Sequence, residues 1–504
     1  MGFVSFNRKS RLAAAVAGGV LALALFTGDC AIGAEPAADT RYESAQVRGD
    51  FDELYTRMQA SHYDLYARRS KSDYDTRFKS MRASFKAPMT RFEVQARFQD
   101  FLAYGNVAHA RIDFIHDPYH AYQDQGGKIF PLDVRVVKGA ALVSANNSGV
   151  DAIAVGDEIV ALDGEPTAVW LPRLRYHLSA DTDYLAHAML EWSLPGLLWL
   201  EHGGVAEFRL KLRNAQGKLY EVVVPARGKD EIEAAAAKQP KAFELDWDLR
   251  EQRMLDNGVA YLRPGPFYNN DPAATDMWDA AAFSSFIDAS FQHFIDAGAK
   301  SLIIDLRDNA GGDNSFSDRM VGWFADKPFR FASDFRIKLS QAAIDCNRKR
   351  LDAKTTDGTS PKLAVAYAQH KLGEVFSFDF APGQPRQGQR FQGKVFLLIN
   401  RHSYSNTVTV AALAQDYGFA TILGEETSDL ATSYGAMEQF DLSRTGITVG
   451  FPKAYLIRPS GGTEARGVRP DIAIETPAVP AQEDVVLQRA RKVVEEAAAS
   501  SQHG

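Results

Sequence analysis

The chain has 504 residues, of which 45% are hydrophobic and 24% charged, the ordinary mix of a folded globular protein. That length predicts about three domains and ample material for a core. A formal net charge of −7, from 57 Lys+Arg against 64 Asp+Glu without a long basic run, argues against a dedicated nucleic-acid binder. Two cysteines, Cys30 and Cys346, cannot build a disulfide scaffold or a Cys-rich zinc site, and HExxH, CxxC and GxGxxG are all absent. Metalloprotease, thiol-redox and dinucleotide chemistry are therefore disfavoured from the outset, and no metal or cofactor is expected.

Residues 1–34 read as an export signal. Arg8, Lys9 and Arg11 form a positive start, Leu12 to Phe26 an apolar run, and Ala31, Gly33 and Ala34 a small-residue cleavage region. The apolar run is short of the ~20 residues a membrane span needs. Asp29 before Cys30 speaks against a lipoprotein signal. Cleavage leaves 54 Lys+Arg against 63 Asp+Glu, and Cys346 as a single cysteine. The expected protein is exported, periplasmic or extracellular, with no stable membrane insertion after cleavage.

Residues 35–125 read as a helical region. Phe51, Leu54, Tyr55 and Met58 recur at helical spacing; after Pro88, Thr90 and Glu93 make a capping box ahead of Val94, Phe98, Phe101 and Leu102, with Gly105 as the stop. From 126 to 228 the chain is mostly strand-like. Gly156-Asp157-Glu158-Ile159-Val160-Ala161-Leu162-Asp163-Gly164 is a strand between turns, and Ala206 to Leu212 alternates strictly and pairs with Tyr220 to Val224. This segment resembles a PDZ domain, a module that captures an extended peptide on a sheet edge. Residues 229–480 read as α/β: buried strands at Leu302–Leu306, Val395–Ile399 and Thr421–Gly424, helices at Asp276–Ala297 and Val408–Tyr417, and an irregular insertion at 328–393. Residues 481–504 carry an amphipathic helix, Glu483 to Ala498, that docks in cis or, in an oligomer, in trans.

Two stretches carry chemistry. Leu397-Leu398-Ile399-Asn400-Arg401-His402-Ser403-Tyr404-Ser405-Asn406-Thr407 takes a buried strand through a polar turn into a helix. A hydroxyl there sits at the carboxyl end of a strand beside free helix N–H groups, although Ser403 and Ser405 also suit plain helix capping. Asp305-Leu306-Arg307-Asp308-Asn309-Ala310-Gly311-Gly312 puts two glycines after another buried strand, where backbone N–H groups can approach a carbonyl or simply form a loop.

Together these motifs resemble the tail-specific, or C-terminal processing, serine peptidases. DLRDNAGG resembles that family's DLRxNxGG, NRHSYSNT its nucleophile segment with Ser405 at the serine, Gly424-Glu425-Glu426-Thr427 its GExT turn, and Gly467-Val468-Arg469-Pro470-Asp471-Ile472 its GVxPDI end. No lysine lies between Lys394 and Lys453, so the Ser–Lys dyad of the processing branch is not expected. The other branch, with the tricorn protease core and a relation to interphotoreceptor retinoid-binding protein, uses a histidine from a helical N-terminal region and a glutamate before GVxPDI. Val107-Ala108-His109-Ala110-Arg111-Ile112 and Glu464 stand at those places. The resemblance implies a crotonase-like ββα core after an N-terminal helical region and a PDZ-like β-rich domain. It also implies Ser405 as nucleophile, His109 as base and Glu464 as the orienting carboxylate. The oxyanion hole would come from Gly311 or Gly312 with Asn406.

That set makes chemical sense. Serine needs an adjacent base, imidazole titrates near neutrality, and a carboxylate fixes its tautomer. His402, three residues before Ser405, is the rival base and is expected to point away. Glu438 and Asp441 are rival carboxylates, a surface ion pair is the plain alternative for Glu464, and Cys346 is expected to be buried and idle. The expected reaction is hydrolysis of peptides or unfolded protein segments through an acyl-enzyme. The alternative is a catalytically silent binding protein on the same fold, holding a peptide or an apolar ligand. An α/β-hydrolase esterase would want a GxSxG elbow, which Ser405 lacks.

Overall fold

The computed structural model describes residues 40–113, 116–353 and 358–500. The export-signal reading and Cys30 lie outside the described residues. Among those described, no helix is long and apolar enough to cross a membrane.

The centre is a six-stranded sheet. In spatial order its strands are Ile472–Ala473, Thr421–Gly424, Lys394–Ile399, Ser301–Asp305, Val259–Arg263 and Glu251–Met254. All pair in parallel except the last, an antiparallel edge. The central strands are buried on both faces, which explains their continuous Leu/Ile/Val runs. One face packs Leu302, Ile304, Leu397 and Ile399 against helices Ala281–Asp296, Asn314–Val321 and Asn406–Tyr417. The other packs Ile303, Phe396 and Leu398 against Leu487, Ala490 and Val494 of the helix Val485–Ser500. The C-terminal helix thus docks in cis.

The segment 328–393 is not irregular. It holds the strands Asp334–Lys338 and Val375–Ser377 and the helices Gln341–Asp352 and Ser360–Ala368. Asp334–Lys338 pairs antiparallel with Thr448–Ile457, which in turn pairs with Ser433–Asp441, giving a second, four-stranded sheet. Its short strands bury only Phe335, Ile337 and Phe376, too brief an alternation to stand out from Pro-rich surroundings. The helix read from Asp276 starts later, at Ala281.

Before the core come helices Ser44–Ser61, Lys71–Ser84 and Arg91–Ala103. The last is opened by the reciprocal Thr90–Glu93 capping box and followed by Gly105, whose N–H donates to the Leu102 carbonyl (2.9 Å). Phe51, Leu54, Phe98 and Phe101 pack into a cluster that continues through Phe440, Val449 and Phe451 of the second sheet. Residues 132–225 form a third, antiparallel sheet in the order Leu132–Val137, Ala140–Asn146, Glu158–Leu162, Glu207–Arg213, Leu219–Pro225. Helices Thr167–Leu174 and Asp183–His202 pack on it through Trp170, Leu190 and Leu194.

The edge strand Leu132–Val137 is not open at Val136. Its N–H donates to Glu191 Oε1 (3.0 Å), and its carbonyl accepts from Arg401 Nη1 (2.9 Å). Glu191 also pairs with Arg401 (2.9 Å) and His402 (3.0 Å), while Arg135 reaches Glu425 (3.0 Å). This buried charge network ties the third sheet to the turn before Ser405.

Asp50, fully buried, fastens the N-terminal helices. It accepts from the N–H of Arg444 and Thr445, the Thr445 hydroxyl (2.7 Å) and the Arg444 guanidinium (3.1 Å). Asp50→Ala leaves these donors without an acceptor and should lower stability by roughly 3 kcal/mol. A denaturant midpoint unchanged from wild type would count against this fastening.

Candidate functional site

Strands Ser301–Asp305 and Lys394–Ile399 are parallel neighbours, so their carboxyl ends deliver two loops to one place. The loops are laced together. Asp308 N–H donates to Asn400 Oδ1 (3.1 Å), Asn400 Nδ2 to Asp308 Oδ1 (2.7 Å), Ser403 Oγ to the Leu306 carbonyl (2.8 Å) and Tyr404 N–H to the Asn309 carbonyl (3.0 Å). Ser403 is thereby spent on structure.

Ser405 precedes helix Asn406–Tyr417 with φ 54° and ψ −122°, a region that L-residues avoid and that costs of order 1–3 kcal/mol. Its side chain makes no capping hydrogen bond, so plain capping does not explain it. Its half-buried hydroxyl stands at the start of the helix, where the N–H of Asn406 is free of intrahelical bonds. Gly311 (φ 91°) lies against this turn: a Cβ there would stand 2.6 Å from the Tyr404 carbonyl and 2.8 Å from the Asn406 nitrogen. Only glycine allows the two loops so close. Gly311 N–H already donates to Asn309 Oδ1 (2.9 Å). The structure brings Ser405, Gly311, Gly312 and Asn406 together.

His109 arrives from the loop after Arg91–Ala103, which is anchored by the paired N–H and carbonyl bonds of Arg111 and Gly450. It is buried and stacks on Tyr404, ring centroids 5.7 Å apart. Its Nδ1 has no hydrogen-bond partner among the described residues. Burial, reinforced by the Arg111 charge and only partly opposed by the Tyr434 backbone, depresses its pKa to about 3. The imidazole is therefore neutral near pH 7, the state a base requires.

Glu464 is not brought to His109 here. It lies exposed on the loop after Thr448–Ile457, and its carboxylate makes no hydrogen bond or ion pair among the described residues. That loop is tied to the segment after the GExT turn, since Ala431 N–H donates to the Arg466 carbonyl (3.0 Å) and Thr432 Oγ1 to the Gly462 carbonyl (2.6 Å). The rival groups are committed elsewhere. His402 pairs with Glu191 and stacks on Trp192 at 4.0 Å, and Glu438 is buried between Arg350 and Lys453. Burial alone would raise the Glu438 carboxyl, but these cations hold it down to about 2. Cys346 is buried, its thiol donating to the Gln439 carbonyl (3.1 Å).

Two buried carboxyls at the site were not anticipated. Asp429 Oδ2 accepts the Ser405 N–H (2.7 Å), and Asp181 Oδ2 accepts the N–H of Ala108 (3.0 Å), next to His109. Aspartate in a loop carries no periodic signal, and Asp181 comes from a part of the chain far from both motifs. Nearby lies a narrow cleft, walled by Leu185, Ala188, Met189 and Trp192 on one side and by Ala310 and Tyr404 on the other.

The low pKa of His109 fixes a pH dependence. The unfolded chain takes up the imidazole proton near pH 6.5 and the folded chain only near 3, so this group's contribution is intact above 6.5 and lost as pH falls towards 3. His109→Phe should therefore lose less stability than wild type between pH 7 and 4. Parallel melting-temperature curves for the two proteins over that range would contradict the assignment.

Residues 274–474 match the family model of Peptidase family S41. A Tail-specific protease of Haemophilus influenzae (strain ATCC 51907 / DSM 11121 / KW20 / Rd) is 22% identical over 269 residues, covering 52% of this chain. That stretch is 30% of the relative's own length. Among solved structures, mature CPAF complexed with lactacystin superposes with a TM-score of 0.59 at 16% identity, covering 90% of this chain and 97% of that one. A CPAF S499A mutant gives 0.57 at 18%, covering 86% and 93%. At such identities these structures establish a shared fold.

Proposed function

We propose, from the match of residues 274–474 to Peptidase family S41, an exported serine peptidase that hydrolyses peptides or unfolded protein segments through an acyl-enzyme. The observation that carries the proposal is Ser405: a strained, uncapped serine at a helix start, packed against Gly311 and preceded by Tyr404, on whose ring a buried neutral histidine stacks. A serine that only capped the helix would have no need of that backbone conformation.

In this reading Ser405 Oγ attacks the scissile carbonyl while His109 takes its proton and returns it to the leaving amine. The developing oxyanion is met by the N–H groups of Asn406 and of Gly312, with Gly311 bringing the loops into range; losing one such donor costs about 100- to 1,000-fold. Glu464 completes the set once its loop closes over bound substrate, since catalytic hydrogen bonds often tighten only then. The apolar cleft takes a substrate side chain beside the cut bond: its polar rim groups Arg401 and His402 are already satisfied by Glu191 and present little free charge. The PDZ-like region, 126–228, presents extended substrate by strand addition. Glu191 and Arg401 occupy the Leu132–Val137 edge at Val136, whereas Leu219–Pro225 exposes Leu219 and Val223. The second edge is the better candidate. A crotonase-like ββα description suits the stacked core, and the positive start, apolar run and small residues of 1–34 support export.

Mass-spectrometric cleavage of a diverse peptide library, with fluorophosphonate labelling of the serine, tests this. Ser405→Ala and His109→Ala should each lose at least about 1,000-fold in kcat/KM, and Glu464→Gln less. Equal cutting by wild type and Ser405→Ala would remove Ser405 as nucleophile. A wild type that neither cuts nor labels would favour the silent binding protein.

A further inference from the structure

Asp429 and Asp181 share an unusual placement. Asp429, 1% exposed, accepts the Ser405 N–H through Oδ2 and the Leu430 N–H through Oδ1 (2.9 Å). The Asp181 carboxyl, also 1% exposed, accepts the N–H of Ala108 and reaches only Arg68, at 3.8 Å. One carboxyl thus grips the backbone of the strained serine, and the other grips the loop that carries the histidine. Tyr404 lies among them with its ring against His109, and its hydroxyl feels Asp429, Asp181 and Arg111. Arg111 is no full counter-ion, because its guanidinium pairs with Asp113 at 2.8 Å. Among the described residues Asp429 has no ion pair within 4 Å.

We propose that Asp429 and Asp181 are positioning residues, a buried carboxyl pair that braces Ser405 and the His109 loop in register across Tyr404. The proposal rests on Ser405 and His109 acting as the peptidase site. Two neighbouring buried carboxyls with only partial countercharge, from Arg68 at 3.8 Å and from Arg111, resist double ionisation and titrate as a pair. Burial and the neighbouring Asp181 push Asp429 up to about 7, against the pull of the Ser405 and Leu430 N–H groups and Arg111; burial pushes Asp181 to about 6, against the Ala108 N–H and Arg68. Asp429 faces Asp181, Tyr404 and Arg111, and Asp181 faces Tyr404 and Arg68. With one proton on the pair, the brace holds at most a single negative charge beside the site of the developing oxyanion. Full ionisation adds a second charge there and opposes the transition state. His109 is deprotonated throughout this range, so the alkaline limb of activity belongs to the pair and not to the base.

The test is the pH profile of kcat and KM on a peptide that wild type cleaves, with fluorophosphonate labelling rates alongside. Asp429→Ala, which frees the Ser405 N–H, should lower kcat and labelling by about 10- to 100-fold with KM within about threefold. Asp429→Asn keeps an acceptor for Ser405 but cannot ionise; it should retain most activity at pH 6 and lose the wild-type decline above about pH 7. Asp181→Asn should move that decline as well. Should Asp429→Ala not fold, the near-isosteric Asn variants decide alone. Superimposable profiles for wild type and Asp429→Asn, a full wild-type kcat in Asp429→Ala, or a loss lying wholly in KM would overturn the brace while leaving the peptidase reading intact. Undiminished cleavage by Ser405→Ala would bring down that reading and the brace with it.

Discussion

Two parallel strands lying side by side, Ser301–Asp305 and Lys394–Ile399, end within hydrogen-bonding reach of one another, and the site exists because of it. The registry of the sheet sets where the loops emerge; the Asp308–Asn400 and Ser403–Leu306 bonds then lock them together. Once locked, the second loop has to turn into its helix within a single residue. That residue is Ser405, and its unfavourable φ is the local cost of the turn. Gly311 is the complementary requirement, since any side chain there would push the loops apart.

The rest of the architecture supplies what the central sheet lacks. The imidazole comes from the N-terminal helices, which are joined to the second sheet through Asp50 and the Phe51 cluster. Asp181 comes from the connection between two helices on the third sheet, and Glu191 binds that sheet to the turn before the serine. His109 and Asp181 are buried with little countercharge, whereas Glu191 is fully paired with Arg401 and His402. His109 is kept neutral and Asp429 reluctant to ionise by the same removal of water. Contrast Glu438, equally buried but flanked by Arg350 and Lys453, where the aim is plainly cohesion.

Much of this was legible in the residues. The continuous apolar strands, the Thr90–Glu93 box, the Glu207–Arg213 hairpin and the two loop motifs carry strong local signals, because each depends on neighbours in the chain. What was missed depends on partners remote in sequence. The four-stranded sheet pairs Asp334–Lys338 with Thr448–Ile457, and neither strand declares its partner. Asp429 and Asp181 are ordinary loop aspartates until the fold buries them. Glu464 shows the converse: a position marked by motif spacing alone, whose side chain stands in solvent here.

The distribution of the site along the chain also bears on how the protein is made. His109 and Ser405 are separated by about 300 residues, with Asp181 between them and Asp429 later still. Synthesis runs from the amino end, so the histidine loop is made first and the serine follows only when most of the polypeptide is complete. The serine turn, moreover, is held in its strained shape by contacts with Asp308, Gly311 and Asp429, on either side of it in sequence. A nascent chain accordingly holds these groups unassembled. The strained serine turn and the histidine loop thus meet only at the completion of folding.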